Sequence, residues 1–392
     1  MLALPGARFR CTSCGDCCRG WNIPLQEGEA AEFERLARSV LPAERLTRLV
    51  SRTRHGKLEI ETLAGDGRSC AALQEDQLCA IHAAYGEPAK PKACRIYPFT
   101  FVATPTDVRV GVLYSCPAVI DGEGAPLGEQ RADLDAMFAG AVDGTRYLTR
   151  IGDVVPLGDT IQLPWADAER LIAALADTLR GDGTLVERVG RADAMCGSVE
   201  DAMRGGADFD AALEVAQARS AERVAQVLVE PPAVDRLSRV LFRVLIKGTQ
   251  RVTATRRVGN VFSSFFGGGD VQLRHGGGVA WRKVDAVAPG LGPDGEALLA
   301  RWFADSLESC TFFGEGAYRL HLTDGVRLLV LSAAAAAFLA RAHAAHGSRD
   351  SVSHEDTRQG LRQLAYRGDM PDAFRRAIAR STALDLLRAQ LG

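Results

Sequence analysis

Cys11-Thr12-Ser13-Cys14-Gly15-Asp16-Cys17-Cys18-Arg19-Gly20-Trp21 is the stretch that divides this chain. Each C-x2-C step lets a tight turn aim two thiolates at one ion or cluster, and Gly15 supplies the backbone freedom such a turn needs. The adjacent pair Cys17 and Cys18 has a different meaning. Successive side chains of an extended backbone point to opposite faces, so neighbouring cysteines do not easily chelate one ion. They serve two sites, or opposite edges of a polynuclear cluster.

The same chemistry continues downstream. Cys70-x8-Cys79-x2-His82-x11-Cys94 is followed by Arg95-Ile96-Tyr97-Pro98-Phe99, and after the strand-like stretch 108–114 comes Ser115-Cys116-Pro117. The candidate metal ligands are Cys11, Cys14, Cys17, Cys18, Cys70, Cys79, His82, Cys94 and Cys116. Eight thiols and one imidazole suffice for two four-coordinate zinc sites, or for a [4Fe–4S] cluster with ligands to spare. His82 reads as a ligand sharing a site with Cys79, as a donor orienting a thiolate, or as a surface histidine. Trp21 and Tyr97-Pro98-Phe99 read as an apolar wall that keeps such a centre dry. Arg19 and Arg95, each one residue from a cysteine, read as cations offsetting the thiolate charge, and Lys90 and Lys92 as a polar loop.

The sequence has 392 residues, and eight of its ten cysteines lie between positions 11 and 116. The expected division is therefore a cysteine-rich domain at 1–122 and a mostly helical domain at 123–392. The fold class is mainly α: a small metal- or cluster-binding head with short strands, then a large helical body. Helices are expected over 127–140, 165–180, 209–229, 233–247, 295–309, 354–366 and 371–391, from apolar residues at helical spacing and from breakers such as Gly181 and Pro231-Pro232. Strands are expected at 279–287 and 319–323. Glycine-rich breaks at 267–269 and 276–278 bracket a loop or hairpin. Cys196 and Cys310 read as core thiols, and the histidines at 343, 346 and 354 as a solvated helix end.

Lys+Arg 47 against Asp+Glu 49 leaves a formal net charge of −2, which argues against a general nucleic-acid binder. The uncharged run 328–340 spans about 20 Å as a helix, short of a bilayer core of about 30 Å, so it is expected to be buried rather than to anchor the chain. No apolar segment resembling a secretion signal precedes Cys11, so a cytoplasmic location is expected, where crowded thiols are more often ligands than disulfides. Gly290-Leu291-Gly292-Pro293-Asp294-Gly295 matches a dinucleotide fingerprint in form. The prolines and the Pro-Asp-Gly step make it an ordinary turn with Asp294 near a helix N-terminus.

Taken together, C-x2-C-x2-C-C, Cys70…Cys79 and Cys94-Arg-x-Tyr97-Pro98-Phe99 resemble the bacterial cysteine-cluster family of the YkgJ type, described as zinc- or iron-chelating. Cys18-Arg-Gly20-Trp21-x-Ile23, Leu78-Cys79-x2-His82-x3-Gly86-Glu87 and Ser115-Cys116-Pro117 are similar to its flagellin lysine-N-methylase branch. The resemblance covers residues 8 to 120. It implies a zinc or [4Fe–4S] centre and, in the methylase branch, S-adenosylmethionine-dependent methyl transfer to a lysine side chain of a protein substrate. Two non-catalytic readings stand beside it: a redox-sensing or metal-handling protein, and a zinc-stapled interaction protein. No nucleic acid or membrane partner is expected.

Overall fold

The computed structural model describes residues 2–3, 7–19, 23–46, 49–52, 58–60, 69–234, 236–248, 269–274, 276–317, 319–365 and 383–392. They fall into two compact units. The first comprises residues 1–101 and 110–148, the second residues 102–109 and 149–392. The chain is mainly α, with the short strands concentrated around the cysteines and the long helices after them.

The first unit is built on small pieces. Helix Glu29–Val40 buries Phe33, Leu36 and Ala37, the i, i+3, i+4 stripe of an amphipathic helix. That stripe packs with Ile23, Leu25, Leu49 and Ile81 into one apolar cluster. Strands Ile23–Pro24, Leu58–Ile60 and Val50–Arg52 pair antiparallel, with Ile60 opposite both Ile23 and Val50. Arg8–Phe9 pairs antiparallel with Ala125–Pro126. Phe9 meets Phe99 edge to face at 5.2 Å, and Phe101 is fully buried near Phe138. Residues 127–140, expected as one helix, form a 3-10 turn at Leu127–Gln130, an α-helix at Arg131–Met137 and a π-turn at Phe138–Val142.

The second unit is a helical body around Leu322–His346, a 25-residue helix that is almost wholly buried. It is the described helix long and apolar enough to cross a membrane, and 89% of its apolar window lies inside the protein. It outruns the uncharged stretch 328–340 because both flanking arginines are accommodated. Arg327 lies 3.5 Å from Asp193, and Arg341 donates to the carbonyls of Val284, Asp285 and Val287 and to Gln390 Oε1. The expected helices are observed at Trp165–Arg180, Phe209–Val229, Arg236–Gly248, Gly292–Glu308 and His354–Ala365. Of 371–391 only Ala383–Leu391 is described, and it is helical. Gly267 and Gly268 lie outside the described residues.

In the second unit three elements differ from expectation. Leu185–Arg204 is a helix that apolar periodicity alone did not reveal. Its start was nevertheless written in Thr184 and Glu187, which form a reciprocal capping box. At 279–287 the strand ends after Ala280, and Trp281–Asp285 is a short helix. Trp281 and Val284, three apart, are then both buried, with Trp281 stacked on Phe338 at 4.8 Å. At 319–323, Leu320 makes only a bridge to Gly314 before the core helix begins at Leu322. Gly292 and Gly295 sit in the first turn of helix Gly292–Glu308, where Gly295 faces Leu291 and Thr357.

Candidate metal centre

The first cysteine motif is a loop closed by a 3-10 turn over Asp16–Cys18. Gly15 enters that turn at φ +69, and a Cβ there would lie 3.0 Å from Gln77 Oε1 and 3.1 Å from Leu73. The positive φ favours glycine here, and a Cβ would press on both side chains. Arg19 locks the loop by donating to Gln77 Oε1 and, at 3.4 Å, to the Cys14 carbonyl.

The second motif is stitched onto the first through the backbone. The Cys70 N–H donates to the Cys18 carbonyl at 2.8 Å, and Arg19 bridges Ser69 antiparallel. The chain turns at 74–78, Leu73 bridges Cys79, and the Ala80 N–H returns to the Ala72 carbonyl. Cys79 then caps helix Ala80–Tyr85. Cys94 lies on helix Lys92–Ile96, and Cys116 caps Pro117–Ile120. Cys70 is buried in the apolar cluster, and Cys18, Cys79 and Cys94 pack against it.

These sulfurs feel one another. Cys18 gives its S–H to Cys17, which pulls the Cys17 thiol down to about 7 and pushes Cys18 strongly up. Burial raises Cys70 to about 12, with Cys79 and Cys17 adding to the rise. Burial, then the nearby Cys70, holds Cys94 well above the ordinary thiol value. Cys116 is raised to about 11 by burial, and Cys14 and Cys17 act on it. The structure thus sets Cys18, Cys79 and Cys94 against the cluster that contains Cys70, with Cys17 hydrogen-bonded to Cys18; Cys116 is buried, and Cys14 is exposed on the first loop. Cys11 is exposed on the same loop as Cys14. His82 is exposed on its short helix Ala80–Tyr85.

Backbone N–H groups also point at sulfur. Cys11 accepts from Ser13 at 3.4 Å, and the N–H groups of Ala72 and Leu73 near Cys70, and of Ala118 and Val119 near Cys116, pull against the rise that burial causes. In each case the donor stands two residues after the cysteine, or two and three. Such bonds favour the thiolate and are among the levers that tune a metal–sulfur centre.

The charge arrangement departs from expectation. Arg95 is held by Glu87 at 2.9 Å and reaches the Gly140 carbonyl, while Arg19 serves the loop. Lys90, from what reads in sequence as a polar loop, acts on Cys17 and Cys94. Phe99 is buried against Phe9, and the Tyr97 hydroxyl meets Ser115 Oγ at 3.1 Å; Trp21 lies outside the described residues. Cys196 and Cys310 are core thiols, each fully buried and raised by burial to about 12.

Among the described residues no three Cys, His, Asp or Glu side chains stand close enough to form a closed ligand shell. The donor chemistry nevertheless fits zinc or iron: all ten cysteines are free, and the grouped donors are soft sulfurs with N–H groups already aimed at them. Residues 10–116 match the CxxCxxCC family, described as "Putative zinc- or iron-chelating domain". The matched span opens beside Cys11 and closes on Cys116, and the match supports metal binding by this segment. No curated protein and no solved structure matches the chain.

Proposed function

We propose that the first unit binds zinc or iron through Cys17, Cys18, Cys70, Cys79 and Cys94, with Cys116 and Cys14 at the edge of the set. One observation carries this reading: Cys18, Cys79 and Cys94, far apart in sequence, all pack against the one buried cluster that contains Cys70. A single tetrahedral ion takes four ligands. The surplus of thiols favours a [4Fe–4S] cluster or a two-ion site over a lone zinc staple. Bound zinc would supply a cross-link, and a bound cluster would supply a one-electron store. Lys90 offsets part of the thiolate charge, and the apolar cluster around Cys70 keeps water from that sulfur.

This reading places the protein in a reducing compartment such as the cytoplasm, where free thiols persist. Anaerobic purification followed by absorption and metal analysis tests it. Iron with sulfide and a broad band near 400 nm, the usual mark of thiolate-bound clusters, identifies the cluster form, and colourless protein with stoichiometric zinc the other. Protein carrying neither metal refutes the proposal. Methyl transfer from S-adenosylmethionine to a protein lysine rests on the resemblance of the head alone. Calorimetry on the metal-loaded protein decides that branch, since absence of binding at millimolar cofactor ends it.

A further inference from the structure

Exposure sorts the eight thiols of the head into a series. Cys11 and Cys14 are exposed, Cys17, Cys18, Cys79 and Cys94 are half-buried, and Cys70 and Cys116 are buried. The two exposed thiols share one loop. Ser13 holds φ +55 between them and aims its N–H at the Cys11 sulfur. The loop therefore already has the turned form in which a C-x2-C pair presents both sulfurs. Its inner end is fixed, because Gly15 is wedged against Gln77 and Leu73 and Arg19 holds the Cys14 carbonyl. From there the series runs inward. Cys18, Cys79 and Cys94 pack against the apolar cluster in which Cys70 is buried. A donor complex too large to enter the protein can reach Cys11 and Cys14, whereas Cys70 lies within the apolar cluster.

We infer that Cys11 and Cys14 are the outer thiols through which a metal ion is taken up and given back, by ligand exchange with a thiolate- or chelate-bound donor at the surface. The inference rests on the metal-centre reading above and assigns the exchange route of that centre. At each step a cysteine thiol releases its proton to solvent as its sulfur–metal bond forms. One donor–metal bond breaks, and the freed donor ligand leaves with its electron pair. No electron changes hands.

Zinc serves as the probe, on the full chain. Iodoacetamide treatment of the zinc-loaded protein, read by peptide mass spectrometry, is expected to modify Cys11 and Cys14 at least about tenfold faster than Cys70 and Cys94. Exchange of bound zinc against isotopically labelled zinc, supplied as a chelate, is then expected to slow by roughly tenfold in the double variant Cys11→Ser, Cys14→Ser. Equal protection of Cys11, Cys14 and Cys70 in the loaded protein overturns the inference, because all would then belong to one closed shell. Exchange at the wild-type rate in the double variant overturns it as well. If the wild-type chain holds no metal at the outset, the metal-centre reading itself fails, and that result is distinct from either of these.

Discussion

A thiol kept protonated by burial must give up that proton before its sulfur can bind a metal, so the raised thiols fix the sign of the pH dependence. Cys70 at about 12, Cys116 at about 11 and the raised Cys94 all carry their protons through the neutral range in the metal-free fold. Each one that becomes a ligand releases a proton, so affinity rises with pH, by about tenfold per unit per such thiol. Competition titrations at pH 6.5, 7.5 and 8.5 should therefore show steep tightening, and a flat profile would remove these three from the ligand set. Cys17 behaves in the opposite sense. Lowered to about 7 by the Cys18 S–H, it is roughly half ionised at neutral pH, against about 1% for an ordinary thiol. Substituting Cys18→Ala in the metal-free protein should slow iodoacetamide alkylation of Cys17 on the order of tenfold, the gain in ionisation being partly offset by lower intrinsic nucleophilicity. The candidate thiols were readable from spacing, because C-x2-C and the doubled cysteine are covalent facts of the chain. The role of Lys90 was not, since it depends on where residue 90 lands relative to residue 17. The N–H···S contacts were equally hidden, since they depend on the φ and ψ of each turn.

At the scale of elements, boundaries were legible where a local signal and an apolar stripe coincided. Trp165–Arg180 ends at Gly181, and Phe209–Val229 runs from the Asp208 cap to just before Pro231-Pro232. Legibility failed where burial on the core helix decided the matter: the pull of Phe338 on Trp281 converts an apparently alternating strand into a helical turn. Leu185–Arg204 lay between these cases, with a clear capping box but a diluted apolar stripe. That box makes a measurable contribution. The Thr184 side chain accepts the Glu187 N–H, while Glu187 accepts the Thr184 N–H at 2.7 Å. Replacing Thr184 by Ala should lower stability by about 1 kcal/mol, read as a shift in the urea midpoint with an unchanged slope. No measurable shift would mean that this helix end frays in the native state.

At the scale of the whole molecule, the long helices lie beyond the cysteines, and their cores contain only Cys196 and Cys310 among the thiols. A body of that size can bury its own core without metal. Stripping the metal with a chelator under reducing conditions should therefore open residues 10–116 to limited proteolysis while leaving most of the helical circular dichroism intact. Cooperative loss of the entire signal would show instead that the two units stand or fall together. The core helix carries one more consequence, which concerns the order of synthesis. The apolar surface of Leu322–His346 is covered in part by His354–Ala365 and Ala383–Leu391, and Arg341 is held by Gln390. All of these leave the ribosome after the helix they cover. A nascent chain that stops short of residue 354 presents a bilayer-length greasy rod that lacks both of these covers. Such truncated products are expected to become clients of holding chaperones, or to sediment, while the finished chain does neither.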